Sequence, residues 1–529
     1  MKTTIKVMTA AITLVATASA ATPVKTATGM ITGEERDGVR SYKGIPFAAP
    51  PVGDLRWKPP QPVKPWDGVR DCTKFGAICP QPKSILGTKQ EQASEDCLFL
   101  NVWTAATNAD AKLPVMVWIH GGGCTTGAGS QPSYDGTTFA KAGVVLVTIN
   151  YRLGPFGYLA HPLLPKESPH NVSGNYGHLD QIAALHWVQK NIAAFGGDPA
   201  CVTIFGESAG AMSVCRLMVS PQAKGLFHRA IAQSGGAVGR NRHLRERQSL
   251  LTPMEHEGEL LAQKLDCDKA ENPLAALRAK SAEEILTAAN PAQGLYGKGM
   301  KYGPIVDGWT IPADPGELFE QGKQHDVPFM MGSNADEGTL FLRQIPVQNA
   351  NAYKLMVRAL AGRHAEEAFR LLPCEGNDVK AAFVRFSTIT AFVAPARMLA
   401  RAMEQKKSPA FLYHFTRVSP NAKLLGLGAT HGAEIAYVFG TQHAPAAKDR
   451  ELGNTMRACW IQFAKTGNPN GAGLPKWPAY KAASDEHLEF GDEIRTGHGL
   501  YKEACDLLEK LKNERAKPSA PTKIPTTNS

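Results

Sequence analysis

Two short runs restrict this chain more than anything else in it. Pro114 to His120 (PVMVWIH) and Val144 to Asn150 (VVLVTIN) are apolar, β-branched and bounded by Gly or turn residues. A strand with one wet face alternates apolar and polar residues. These runs do not alternate, so both faces must be covered, as in a parallel sheet between layers of helix. Val202 to Phe205 and Val327 to Gly332 repeat the pattern more briefly. Gly177 to Phe195 instead has helical spacing, with Leu179, Ile182, Ala183, Leu185, Trp187 and Val188 on one broad apolar face, and Gly196-Gly197-Asp198-Pro199 stops it. Strands alternating with helices predict an α/β chain whose mostly parallel central sheet carries helices on both faces. The stretches Leu251–Asn290 and Val347–Lys406 are helix-rich and lack clear strands, and are expected as insertions over the sheet. No repeat of 20–50 residues is present.

The two ends read differently from the body. Lys2 and Lys6, the apolar stretch Val7 to Thr17 and the small-residue sequence Ala18-Ser19-Ala20 form a secretory signal pattern, so residues 1–20 are expected to be a signal peptide cleaved after Ala20. Export to the periplasm or the medium follows, with the short Lys-led signal pointing to a bacterial source. No later segment has the roughly 18 uninterrupted apolar residues of a membrane helix, so no membrane insertion is expected. Residues 21–509 are expected to form the globular domain. Residues 510–529, basic and rich in Pro, Ser and Thr, are expected to be a disordered tail. The net charge is +10 over 529 residues, but the positive residues are scattered. Without a clustered basic face and stacking aromatics, a nucleic-acid partner is not expected. The overall field gives at most a mild preference for anionic small molecules.

One motif carries chemistry. Gly206-Glu207-Ser208-Ala209-Gly210 is a G-x-S-x-G directly after a strand and before the helical run Ala209 to Met218. That is the context of a nucleophile elbow: flanking glycines permit a sharp turn that exposes the Ser208 hydroxyl near the positive end of a helix. Upstream, His120-Gly121-Gly122-Gly123 follows the first strand. Such a loop turns backbone N–H groups toward an oxyanion, together with the N–H of Ala209 after the nucleophile. A phosphate loop is excluded, since no Gly-Lys-Ser/Thr follows and G-x-G-x-x-G does not fit.

A serine nucleophile needs a base and an acid, in the chain order Ser, acid, His. The strand ending near Gly332 leads into Ser333-Asn334-Ala335-Asp336-Glu337-Gly338, where Asp336 and Glu337 are both candidates on spacing alone. For the base, His414 lies in an apolar strand-like run and reads as structural. His443 lies in a polar loop. His431 opens a Gly-flanked loop running into an apolar helix start, and is preferred.

The chain resembles the type-B carboxylesterases, the cholinesterase-like branch of the α/β hydrolases. The resemblance rests on GIPFAAPPVGDLRW (Gly44 to Trp57), SEDCLFLNVW (Ser94 to Trp103), WIHGGG, NYRLGPFGYLA (Asn150 to Ala160), GNYGHLDQIAALHWVQKNIAAFGGDP, VTIFGESAG, NADEG, HGAEIAYVFG and FAKTGNPN (Phe463 to Asn470), and runs from about residue 24 to 500. It implies the α/β-hydrolase fold, with helical insertions over the active site, and a carboxylic ester hydrolase working through an acyl-enzyme. Carried over by position, Ser208 is the nucleophile, Glu337 the acid and His431 the base. Gly122, Gly123 and Ala209 are the oxyanion donors. Ser234 in AQSGG matches a serine that hydrogen-bonds near the triad. The family implies no metal and no organic cofactor, and the expected partner is a small-molecule ester.

The same resemblance implies a disulfide between Cys79 and Cys97, which would contribute about 3 kcal/mol on the loop-entropy account. It also implies an internal ion pair of Arg152 with Asp180. The second family disulfide looks absent, because the partner position of Cys267 falls on Ala276; Cys72, Cys374 and Cys505 could make another bridge. Two departures bear on the substrate. Cys124 follows the third glycine where the family usually has Phe, which would leave room beside the acyl group. The segment between Cys79 and Cys97 contains no aromatic residue, so a choline ester is not expected. A bulky or anionic ester fits better. The same triad would serve a carbamate, amide or thioester, and a non-catalytic binding protein is the remaining alternative. Oligomeric state is not readable.

Overall fold

The computed structural model describes residues 19–83, 92–238, 241–248, 251–344, 347, 349–376, 378–442 and 446–516. His443 and most of the signal segment lie outside them. Among the described residues, twelve strands form one sheet: β1 (Ser19–Ala20), β2 (Glu34–Arg36), β3 (Val39–Pro46), β4 (Phe99–Thr104), β5 (Leu113–Ile119), β6 (Val145–Ile149), β7 (Gly197–Glu207), β8 (Arg229–Gln233), β9 (Phe329–Asn334), β10 (Ala410–Phe415), β11 (Glu486–Phe490) and β12 (Ile494–His498), in the order 1-2-3-4-6-5-7-8-9-10-11-12. From β6 through β11 every pairing is parallel, whereas β1 to β4 and the β11–β12 edge pair antiparallel.

The apolar runs sit at the centre. Val115, Val117 and Ile119 of β5 join one core cluster, while Met116 and Trp118 face the other side and join a second. Both faces are therefore dry, as the non-alternating sequence requires. The helix α1 (Tyr176–Asn191) covers the first face. It is buried more completely than a single apolar stripe predicts, because His178, Asp180 and Gln181 are buried too. Each has a partner, although His178 Nε2 is left without one. Asp180 receives Arg152 in a two-pronged pair, both contacts 2.8 Å, and Gln181 meets His178 and Ser213. Gly196, with φ 79°, ends the turn that follows α1.

Parallel register aligns the carboxyl ends of the central strands. Gly206 pairs with Ile119, Glu207 with Gln233 and Gln233 with Gly332. The loops after β5, β7, β8 and β9 thus emerge side by side, and those loops carry His120 to Gly123, Ser208, Ser234 and Glu337. The carboxyl edge of an open α/β sheet is where ligands bind.

Helical insertions fall where the sequence lacks strands, between Met254 and Ala289 and between Ala350 and Ala402. In the second, α2 (Val379–Thr388), one turn of π-helix (Ile389–Val393) and α3 (Ala394–Ala402) run continuously. By length and composition Val379–Gln405 is apolar enough to cross a membrane, but Lys380, Arg385, Arg397 and Arg401 interrupt it, so no run of 18 uninterrupted apolar residues is present in it. Its apolar residues are spent internally: Phe383, Ile389, Phe392, Val393, Leu399 and Ala400 are buried, and Arg397 on the same helix pairs with Asp485 at 2.5 Å.

Two expectations need correction. The tail does not begin at Lys510, because α4 (Lys502–Ala516) continues through it. Cys505, Leu507 and Leu511 recur on one helical face and bury against Tyr353, Phe386 and Val393. Ser19 and Ala20, the last two residues of the expected leader, pair in the full chain as an exposed edge strand with β2. Cys79 and Cys97 are buried thiols rather than a disulfide. The Cys79 sulfur accepts the Leu153 N–H at 3.2 Å. Cys72, Cys267, Cys374 and Cys505 are thiols as well; Cys72 lies in the main core, apart from the helical cluster that holds the last and packs against Cys374.

Candidate active site

Ser208 stands alone between β7 and the helix Ala209–Leu217, with φ 56° and ψ −120°. A non-glycine residue held there stores of order 1–3 kcal/mol of strain, and such strain concentrates at functional sites. The flanking glycines are obligatory. A Cβ on Gly206 would stand 2.5 Å from the Ile119 carbonyl oxygen, and one on Gly210 only 1.9 Å from it. The Ser208 N–H donates to Gln233 O at 2.8 Å, and its carbonyl accepts the Met212 N–H at 2.9 Å. The side chain is half-buried, and its hydroxyl makes no hydrogen bond to any described residue.

The glycine loop lies against this turn. Gly121 has no space for a Cβ, which would meet Glu207 Oε2 at 2.7 Å and Ser208 Cβ at 3.1 Å. Gly122 (φ 101°) and Gly123 (φ 66°) take conformations that favour glycine. The Gly122 carbonyl accepts from Thr125 and Thr126, which ties the loop down. Among the described residues nothing accepts from the N–H groups of Gly122, Gly123 or Ala209. His120 is a support: it stacks on Tyr151 at 4.5 Å, and burial lowers its pKa to about 4, so it stays neutral.

Of the two acid candidates, the structure turns one toward His431 and the other away. Glu337 is fully buried at the start of a 3-10 helix, accepts the Asn334 N–H at 2.8 Å through Oε1, and meets His431 Nδ1 at 2.5 Å through Oε2. Asp336 instead accepts the Ala429 N–H at 2.8 Å and bridges to Thr430, holding the loop that carries His431. His414 lies within β10, where its ring faces Ser333 O, His487 and Tyr501.

Sequence reasoning missed the carboxylates behind His431. Its Nε2 does not reach Ser208; it faces Glu207 Oε1 at 3.1 Å. Glu434 is buried beside them, bound by Asn334 Nδ2 at 2.6 Å and Gln233 Nε2 at 3.1 Å, and Trp460 donates to Gln233 Oε1 at 3.0 Å. Burial alone would lower the pKa of His431, but the negative charges of Glu207 and Glu337 on its two nitrogens outweigh it and raise the value to about 9. Burial pushes Glu207 up to about 8, with His431 pulling it down and Glu434 and Glu337 pushing it further up. The signal lay in plain view: Glu207 is the variable position of G-x-S-x-G, and Glu434 follows His431 by three residues.

One further expectation fares less well. Ser234, at φ 52°, is fully buried, but its hydroxyl has no partner, because only its N–H is engaged, with Gly332 O at 2.9 Å. Cys124, directly after the glycines, is 6% exposed and packs into the main core.

The sequence profile of the carboxylesterase family matches residues 20–508. The chain belongs to the carboxylesterase family. As a carboxylesterase it is 38% identical over 495 residues to the fumonisin B1 esterase of Sphingopyxis macrogoltabida, covering 90% of this chain and 87% of that one. It is 38% identical over 491 residues to the para-nitrobenzyl esterase of Bacillus subtilis, covering 89% and 95%. A solved carboxylesterase of Geobacillus stearothermophilus superposes with a TM-score of 0.80 at 34% identity, over 92% of this chain and 99% of that one. A solved PNB esterase does so at 0.78 and 35%. The fold is the α/β-hydrolase fold, and the enzyme hydrolyses carboxylic esters.

Proposed function

We propose that this carboxylesterase works through a Ser208–His431–Glu337 triad and an acyl-enzyme. The observation that carries the reading is the strained, half-buried Ser208 directly after Glu207, whose Oε1 faces His431 Nε2 at 3.1 Å, with the buried Glu337 on the other ring nitrogen at 2.5 Å. For attack, His431 turns its Nε2 from Glu207 to the Ser208 hydroxyl while Nδ1 stays on Glu337; unliganded sites often hold such contacts loosely. Nε2 takes the serine proton as Oγ bonds to the ester carbonyl carbon. The N–H groups of Gly122, Gly123 and Ala209 receive the oxyanion. His431 gives the proton to the departing alcohol oxygen, and water repeats the cycle on the acyl-Ser208.

The substrate is a bulky or anionic ester rather than a choline ester. The net charge of +10 and the lack of an aromatic residue between Cys79 and Cys97 support this. Fumonisin B1 and para-nitrobenzyl esters, named for the two relatives, are the first to try. The enzyme is exported, its leader ending at Ala20, and it needs neither metal nor cofactor. The test compares anionic and neutral esters of one alcohol, beside acetylcholine. A higher kcat/KM for the anionic ester that falls with added salt supports the reading; equal values, or rapid acetylcholine turnover, overturn it.

Glu207→Gln tests the base. A protonated His431 cannot accept the serine proton, so kcat/KM rises with pH as the ring deprotonates. Removing one of the two carboxylates that favour the imidazolium lowers its pKa. The acid limb of the profile therefore moves to lower pH, by roughly one unit or more. An unmoved limb contradicts the role given to Glu207.

A further inference from the structure

The loop that leads from β10 to His431 turns three leucines out to solvent. Leu424 is 86% exposed, Leu425 68% and Leu427 36%. A single exposed leucine is ordinary on a protein surface, but three within four residues form an apolar patch of a few hundred Å².

The tip is a closed turn. Ser419 Oγ accepts the Ala422 N–H at 3.2 Å at the start of the short helix Pro420–Leu424. At the other end the Gly426 N–H donates to Lys423 O at 3.1 Å and the Leu427 N–H to Ala422 O at 2.9 Å, with Gly426 at φ 64°. That is a Schellman closure, in which a left-handed glycine ends a helix. Backbone hydrogen bonds therefore hold the leucines outward.

The foot of the tip is tied to the rim of the site. A Cβ on Gly428 would stand 2.4 Å from Asp336 Oδ2, and the same oxygen accepts the Ala429 N–H at 2.8 Å. The helix α2 is fixed close by, since a Cβ on Gly338 would stand 2.7 Å from Val384 Cα. The tip and α2 thus both anchor beside Glu337, on the carboxyl edge of the sheet where ligands enter.

The charge on these two elements has one sign. Residues 416–433 hold Arg417 and Lys423 and no acid, and α2 exposes Lys380 and Arg385 and has no acid. The acids that approach are engaged. Arg417 binds Asp449 at 2.7 Å and also Asp492, Asp378 caps α2 by accepting the Ala381 N–H at 3.0 Å, and Asp336 holds Ala429.

A second copy of the chain would need far more surface, since a standard protein interface takes about 800 Å² from each side. A lipid surface needs only a small apolar projection backed by cations. The leucines sink to the acyl boundary while lysine and arginine stay at the phosphates. We infer that the tip 424–427 docks this enzyme on an anionic lipid bilayer, with the three leucines at the acyl boundary and Lys423, Lys380 and Arg385 on the phosphate headgroups. The rim of the site then faces the membrane, where apolar esters collect.

The test sediments the exported protein with vesicles of phosphatidylglycerol and, separately, of phosphatidylcholine at low salt. The protein binds the first and not the second, and binding weakens as salt is added. Leu424→Ser combined with Leu425→Ser lowers the affinity at least tenfold, and Lys423→Gln lowers it about fivefold. Both variants unfold at the wild-type temperature and hydrolyse soluble p-nitrophenyl acetate at the wild-type rate. Lys423→Gln keeps the leucines in place and reads the same docking if the double variant does not fold. No sedimentation with phosphatidylglycerol overturns the inference. Binding that the double variant retains overturns it too, by putting the docking surface elsewhere. So does a lipid-free dimer that the double variant dissociates, which would make the tip a contact between copies.

Discussion

Ser208→Ala abolishes ester hydrolysis while leaving the protein folded. The kcat falls roughly 10⁴- to 10⁶-fold, the range set by removing the nucleophile of a serine triad. The residue that remains cannot form the acyl-enzyme, and what survives is catalysis by the oxyanion amides and by binding alone. The fold is spared for a specific reason. The Ser208 hydroxyl makes no hydrogen bond to any described residue, while its N–H and carbonyl, which alanine keeps, are held by Gln233 and Met212. Alanine also adopts φ 56° at about the cost serine does, so thermal unfolding moves by no more than a few degrees. Turnover within tenfold of the wild type would assign the nucleophile elsewhere.

Glu337→Gln costs about 10⁴-fold in kcat with little change in KM, as expected when an orienting carboxylate becomes an amide. Glu337 Oε2, 2.5 Å from His431 Nδ1, can only accept, and so requires that nitrogen to carry the proton and leaves Nε2 free to act as base. Glutamine satisfies Asn334 N–H through its oxygen and turns its NH₂ to Nδ1. The ring then carries its proton on Nε2, where it cannot accept one from serine, and the imidazolium also loses a countercharge. Asp336→Asn is the matched control. It stands one residue earlier but binds Ala429 rather than His431, so its effect on kcat stays within about tenfold. Equal losses in the two variants would contradict the assignment of Glu337.

The parts of the fold legible in the sequence were those with one dominant physical demand. Strands buried on both faces announce themselves, and the G-x-S-x-G turn is legible because only glycine fits beside Ile119. The antiparallel edge was not: β2 reads Glu34-Glu35-Arg36 and β3 mixes Arg40 and Lys43 with apolar residues, since an edge strand need not be dry. Spacing could not separate Asp336 from Glu337, because adjacent side chains leaving the end of β9 diverge toward different loops, and family resemblance made that choice. Glu207 and Glu434 passed unnoticed because a lone acid in a motif looks like surface; only the folded chain shows three buried carboxylates around one imidazole. Residues 510–516 were lost to composition: Lys and Arg suggested a tail, although Leu511 continues the apolar face begun at Cys505.

The most direct measurement is the mass of the protein after reaction with an organophosphate ester, with the adduct located by peptide sequencing. One adduct per chain, on Ser208, formed together with loss of esterase activity and absent from Ser208→Ala, is the predicted result. An adduct on another residue, or full activity with no adduct, would contradict a Ser208 acyl-enzyme.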